Sequence, residues 1–139
     1  MASIYDDIRG ALEKTLADTA GLPTDIAWEN VNFVPTTGTS YMQTQLVPTT
    51  RTPAVRGLNP QMRYDGFFNV FIHVPEGGGP SLADDYADLV IDAFEATTDI
   101  SFTGDTSIIL SIEYAQRRLG IHETPFYYTQ VEVAWFIYA

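Results

Sequence analysis

The sequence predicts an α+β fold: a mainly antiparallel sheet of four to five strands with two helices packed on one face. Three observations carry this. Residues 3–20 and 81–97 repeat apolar side chains at the helical spacing of three and four. Residues 67–74 and 126–138 alternate with period two, as strands with two different faces do. Between these stretches, prolines and glycines supply the stops.

Taken in order, Ser3 to Ala20 places Ile4, Ile8, Leu12 and Leu16 at i+4 steps, with Ala11 on the same side. Asp6 and Asp7 suit the positive end of the helix dipole, and Gly21 and Pro23 stop the helix. Asp25 to Val34, with Trp28 and its aliphatics, predicts a strand interrupted by turn-prone Asn30 and Asn32. After a loop at Pro35 to Ser40, Tyr41 to Val47 sets Met42, Thr44 and Leu46 against Tyr41, Gln43, Gln45 and Val47. Pro48 to Arg63 holds three prolines, one glycine and three of the seven basic residues, Arg51, Arg56 and Arg63. It predicts an extended loop at about 48–63, an arm reaching towards a partner.

The stretch Asp65 to Thr97 has the clearest grammar. Phe68, Val70, Ile72 and Val74 alternate with Phe67, Asn69, Phe71 and His73; Pro75 ends the ladder and Gly77 to Gly79 let the chain turn. Ser81 is placed to cap a helix, with Asp84 completing a capping-box-like pattern. That helix predicts one apolar face of Leu82, Tyr86, Leu89, Val90, Ala93 and Phe94, with Asp84, Asp88 and Glu95 opposite. Gly104-Asp105 marks a turn before a strand from about Ser107 to Ala115, and Arg117, Arg118 and Gly120 mark a short basic connection. In the last strand, Tyr127, Thr129, Val131, Val133, Trp135 and Ile137 oppose Phe126, Tyr128, Gln130, Glu132, Ala134, Phe136 and Tyr138.

A chain of 139 residues predicts one domain, 1–139, burying roughly 70% of the surface its unfolded form would expose. It has no cysteine, which excludes disulfides and thiolate metal sites. Nothing approaches the length of a membrane-spanning helix, and the first ten residues lack the basic-then-apolar order of a signal peptide, so no membrane partner is expected. Eighteen acidic against seven basic residues give a formal charge of −11, which argues against affinity built on neutralising phosphates.

No catalytic, cofactor-binding or metal constellation emerges. His73 and His122, the two histidines, lack metal-ligand spacing, and no G-x-S-x-G elbow accompanies them. The acids Asp84, Asp85 and Asp88 spell a D-D-x-x-D spacing known from magnesium sites, yet a solvated helix face accounts for them better. Gly77 to Gly79 lack the lysine and hydroxyl of a phosphate loop. The strands instead leave Phe67, Phe71, Phe126, Tyr128, Phe136 and Tyr138 on the face without helices, more aromatic surface than water normally meets.

The run Tyr64-Asp65-Gly66-Phe67-Phe68-Asn69-Val70, then His73-Val74-Pro75-Glu76-Gly77-Gly78-Gly79 and an acidic helix with Ala87-Asp88 and Phe94, resembles the tail terminator proteins of long-tailed phages, the lambda-type tail-completion group. The resemblance runs from about Thr24 to the C-terminus. It implies a virion structural protein, made in the host cytoplasm, whose copies form a homo-oligomer, a hexameric ring. Such a ring caps the tail tube at its head-proximal end, stops polymerisation and offers a head-joining surface. It implies the major tail tube protein and a head-completion or connector protein as partners, with DNA passing through unbound. Under that reading Arg51, Arg56, Arg63, Phe67, Phe71, Arg117 and Arg118 are candidates for subunit or tail-tube contacts. Asp84, Asp88 and Glu95 become a lumen or solvent face. The alternative is a small-molecule-binding or enzymatic domain in which Phe71, His73 and Tyr128 line a pocket.

Overall fold

The computed structural model describes residues 3–55, 57, 61–95, 99–104 and 106–139. Helix α1 spans Ile4–Ala17, with the Ser3 hydroxyl accepting a hydrogen bond from the Asp6 amide at its start. Strands β1 (Ile26–Ala27), β2 (Tyr41–Pro53) and β3 (Met62–Pro75) follow, then helix α2 (Ser81–Ala93) and strands β4 (Asp99–Thr103), β5 (Ser107–Glu123) and β6 (Phe126–Tyr138).

The strands form a six-stranded sheet in the order β1-β2-β3-β6-β5-β4. Every pairing is antiparallel except β1 with β2, so the sheet is mixed. The fold is α+β, with six strands where the sequence predicts four to five. The extra strands are short: β1 has two residues, and β4 has five with only Ile100 and Phe102 partly covered. Neither is long enough to display a period.

Both helices pack on one face. Ile8, Ala11, Leu12 and Leu16 of α1 and Ala83, Ala87 and Val90 of α2 join Met42, Leu46, Phe68, Val70, Ile72, Val74, Val131, Val133, Trp135 and Ile137 in one apolar cluster. The alternation read for β3 and β6 therefore points its expected side chains inward. Gly66 serves the same packing, because a Cβ there would lie 2.5 Å from the Trp135 ring and 2.6 Å from the Val47 carbonyl oxygen. Asp7, buried in the first turn of α1, accepts hydrogen bonds from the Thr106 amide (2.8 Å) and hydroxyl (2.6 Å), tying the helix to the β4–β5 turn.

Four local expectations change. The stretch expected as a loop at 48–63 is strand at 48–53 and 62–63. It tolerates Pro48 and Pro53 because β2 is an edge beyond β1. The Met42 amide points to Asp25 and the Leu46 amide to Glu29, on the side away from β3, and alternation puts Pro48 there too. Across the bulge between Pro48 and Thr50, the Ala54 amide bonds the Gln61 carbonyl oxygen, so the neighbouring Pro53 again faces outward.

Likewise, the basic connection at Arg117 to Gly120 is part of β5, which absorbs it as a bulge. The strand expected over Asp25 to Val34 shrinks to β1. Helix α2 starts at Pro80 as its cap residue, not Ser81, with no side-chain cap bond. Its buried face is Ala83, Ala87, Val90 and Phe94, leaving Leu82 44% exposed, because the close approach to the sheet favours alanines over the larger residues.

Candidate interaction surface

The face of the sheet without helices is built by cross-strand rows. At one end Tyr41, His73, Tyr128 and Ile121 are neighbours on β2, β3, β6 and β5. The next two rows are largely amides and acids: Gln43, Phe71 and Gln130, then Gln45, Asn69, Glu132 and Gln116. Towards the other end come Val47, Phe67, Ala134 and Tyr114, then Asp65 with Phe136, and Arg63 with Tyr138. The result is two aromatic ends separated by a polar band.

The half of the polar band on β3, β5 and β6 is bonded internally. Glu132 accepts hydrogen bonds from Tyr114 and Gln116 and pairs with Arg118, while Gln130 donates to Asn69 at 3.0 Å. Burial alone would raise the Glu132 carboxyl, but the bonds from Arg118, Gln116 and Tyr114 outweigh it and hold it below the usual range.

Arg63 anchors the far end. Its guanidinium bonds both Asp65 oxygens at 3.0 and 3.1 Å and the Tyr138 hydroxyl at 3.0 Å, and its carbon lies 4.4 Å from the Phe136 ring centre. The bonds to Asp65 and then Tyr138 raise its already high pKa further.

At the near end a cleft of about 660 Å³ opens between this face and the segment after β1, with Trp28 and Phe33 on one wall. Tyr41 stacks flat on His73, ring centres 4.4 Å apart, and Phe33 lies 5.2 Å from Tyr41. Tyr128 lies 4.9 Å from His73 and 6.2 Å from Phe71. His73 is buried and its pKa is lowered to about 4 by that burial, so it is a neutral ring at physiological pH. The Tyr41 phenol is shifted up by burial and then by the nearby Glu123 carboxylate.

The residues singled out from sequence fall on both faces. Phe67, Phe71, Arg63 and Arg118 lie on the helix-free face. Arg51 lies on the other, its Nε donating to the Tyr64 hydroxyl at 3.1 Å beside the core, and Arg117 pairs with Asp84 of α2 at 2.7 Å. Asp88 and Glu95 are exposed on and just beyond α2, and Arg56 lies outside the described residues. Phe71, His73 and Tyr128, named together from sequence as a possible pocket, do line the cleft. Sequence reading missed Trp28, Phe33 and Tyr41; two aromatics in an irregular segment otherwise rich in polar residues were the available signal.

Comparison with known proteins adds the family. The model of the phage tail terminator protein family matches residues 7–135. A comparison with curated protein sequences finds no match. Among solved structures, one shares the fold with a TM-score of 0.75 at 20% identity, covering 98% of this chain and 96% of that one. A chain from the "virion of native gene transfer agent (GTA) particle" has a TM-score of 0.65 at 15% identity, with full coverage of both chains. At such identities the likeness speaks for the fold alone; the family match spans nearly the whole sequence. The chain belongs to the phage tail terminator protein family and is a structural protein of the virion tail.

Proposed function

We propose that the protein is a ring-forming tail terminator: six copies cap the finished tail tube at its head-proximal end, stop its polymerisation and present the surface on which the head is joined. The family match over residues 7–135 carries this reading. Its partners are further copies of itself, the major tail tube protein and a head-completion or connector protein. The helix-free face, with Phe67 and with Phe136 and Tyr138 beside Arg63, is the kind of partly apolar, Arg-containing surface that buries well against another protein. A formal charge of −11 per copy lets DNA slide through a ring without adhering. No membrane and no cofactor enter this function.

The test is the length of tails made without the protein. A phage lacking it is expected to produce tail tubes of uncontrolled length that fail to join heads, measured by negative-stain electron microscopy, with added protein restoring both. Tails of normal length in its absence would remove the capping role. The second reading, a small-molecule pocket, has one observation in its favour, the cleft lined by Phe71, His73 and Tyr128. A ligand bound tightly there by a protein that leaves tail length unaffected would favour it.

A further inference from the structure

Strand β4 ends the sheet on the side away from β1, and its backbone parity can be read from the far strands. Met62 and Ala139 exchange both backbone hydrogen bonds, at 2.9 and 2.8 Å, so odd-numbered residues of β6 turn their amides and carbonyls to β3 and even-numbered ones to β5. Phe136 faces Ser111, which carries the parity on: Ile100 and Phe102 bond to β5, while Asp99, Ser101 and Thr103 turn their amides and carbonyls outwards. The side chains agree. The Ser111 hydroxyl donates to Asp99 at 2.9 Å and Thr103 lies 3.3 Å from Ser107, both at the closer, non-hydrogen-bonded positions of the ladder. Among the described residues, no hydrogen bond reaches the outward amides and carbonyls of β4.

The opposite end of the sheet is guarded and this one is not. On β2 the outer edge is taken by β1, by the Glu29 carboxylate on the Leu46 amide, and by Pro48 and Pro53. Strand β4 is short and has Asp99 at one end, but it contains no proline, lysine or arginine and pairs with β5 without a bulge. Helix α1 lies over β4 and β5, with Gly10 against the Phe102 ring, and Ile100 and Phe102 beneath it remain only half-buried.

We infer that two copies of the free protein pair through β4, edge to edge and antiparallel, about a two-fold axis at Ser101. An incoming strand must bring unbonded amides and carbonyls at every second residue, and a second β4 brings them in the matching order. With Ser101 facing the partner's Ser101, Asp99 faces the partner's Thr103, and each facing pair exchanges two backbone bonds. Ile100 then lies beside the partner's Phe102 on the helix side, an aliphatic and aromatic pair that completes the burial of both. The two Asp99 carboxylates stand about 13 Å apart along the strands, so no like charges meet. A two-fold contact stops at a dimer and cannot be the repeated neighbour contact of a six-fold ring. The pairing therefore goes beyond the ring reading: it belongs to the protein before assembly and keeps an adhesive edge covered.

The test is the native mass of the concentrated, purified protein, expected at twice the 15.4 kDa of one chain. Because the Ser101 amide points away from β5, Ser101→Pro removes it without touching the ladder, as prolines do on the β2 edge. That variant should keep the circular dichroism spectrum and run as a monomer. The chain has no cysteine, so Ser101→Cys gives a second, independent readout. Mild oxidation should link it into a dimer through residue 101, identified by peptide mass, while Val34→Cys, at an 87% exposed position off the edge, should not link. A wild type that stays monomeric overturns the inference. So does a dimer that survives Ser101→Pro, or a larger species whose neighbours are not linked through residue 101, or equal linking of the Val34→Cys control. The length of tails made without the protein decides the ring reading separately, so either can fail while the other stands.

Discussion

His73, on β3, lies flat against Tyr41 and close to Tyr128 and is buried. Burial lowers its pKa to about 4, whereas in the unfolded chain the ring titrates at the ordinary value of about 6.5. Above pH 6.5 neither state holds the proton and the ring contributes no pH dependence. As pH falls from 6.5 towards 4 the unfolded chain binds the proton first, so stability declines, by up to about 3 kcal/mol at the lower end. His73→Phe keeps an aromatic ring against Tyr41 and has no proton to gain. Urea unfolding between pH 7 and 4.5 should therefore show the wild type losing stability relative to this variant as pH falls, and parallel curves would remove His73 as the cause. The shared face of Phe71, His73 and Tyr128 was legible in the sequence, since strict alternation assigns a face wherever the register holds. The wall made by Trp28 and Phe33 was not, because it depends on where an irregular segment folds back over the sheet.

Strand β2 shows how an element hides from sequence reading. Pro48 and Pro53 look like strand breakers, yet both occupy positions whose missing amide points off the sheet, so the ladder to β3 runs on across a bulge. The prolines, the Glu29 carboxylate on the Leu46 amide and the two-residue β1 together leave this edge with few free donors. Restoring two donors with Pro48→Thr and Pro53→Thr should keep the circular dichroism spectrum and increase concentration-dependent self-association in light scattering. An unchanged scattering profile would mean that the edge is guarded by something else. Strands β3 and β6 were readable because each keeps one apolar face along its length. Helix α2 was readable as a helix but not in its rotation: Leu82 and Tyr86 outweigh alanines in any hydrophobic pattern, while the sheet selects Ala83 and Ala87 for their small size.

Across the whole molecule, eighteen acids against seven bases make self-repulsion a global term. The ion pairs Arg63–Asp65, Arg117–Asp84 and Lys14–Asp18 are at least partly exposed and each stabilises by at most about 1 kcal/mol. Raising ionic strength from about 0.01 M to 0.15 M shortens the screening length from roughly 30 Å to 8 Å, which damps the repulsion more than these close pairs. The melting temperature by calorimetry should rise by a few degrees over that range, and a fall would make the ion pairs the dominant electrostatic contribution. The family resemblance was legible in the strand-turn-helix stretch from Tyr64 to Phe94, whose local signals are strong, while the family match itself spans residues 7–135. The strand count was not, since β1 and β4 exist only through their neighbours.

The bond between Asp7 and Thr106 joins positions 99 residues apart, and the main partners of α1 in the sheet, β4 and β5, belong to the second half of the chain. During synthesis the first helix therefore leaves the ribosome long before its docking surface exists. Strands β2 and β3 can zip into a hairpin in the meantime, and Arg9 and Tyr5 have partners in Glu29 and Tyr64, but the Asp7 bonds and the main sheet contacts of α1 need residues 99–112. Closure of the N-terminal helix is in this way a late event of folding, timed by the arrival of the β4–β5 turn.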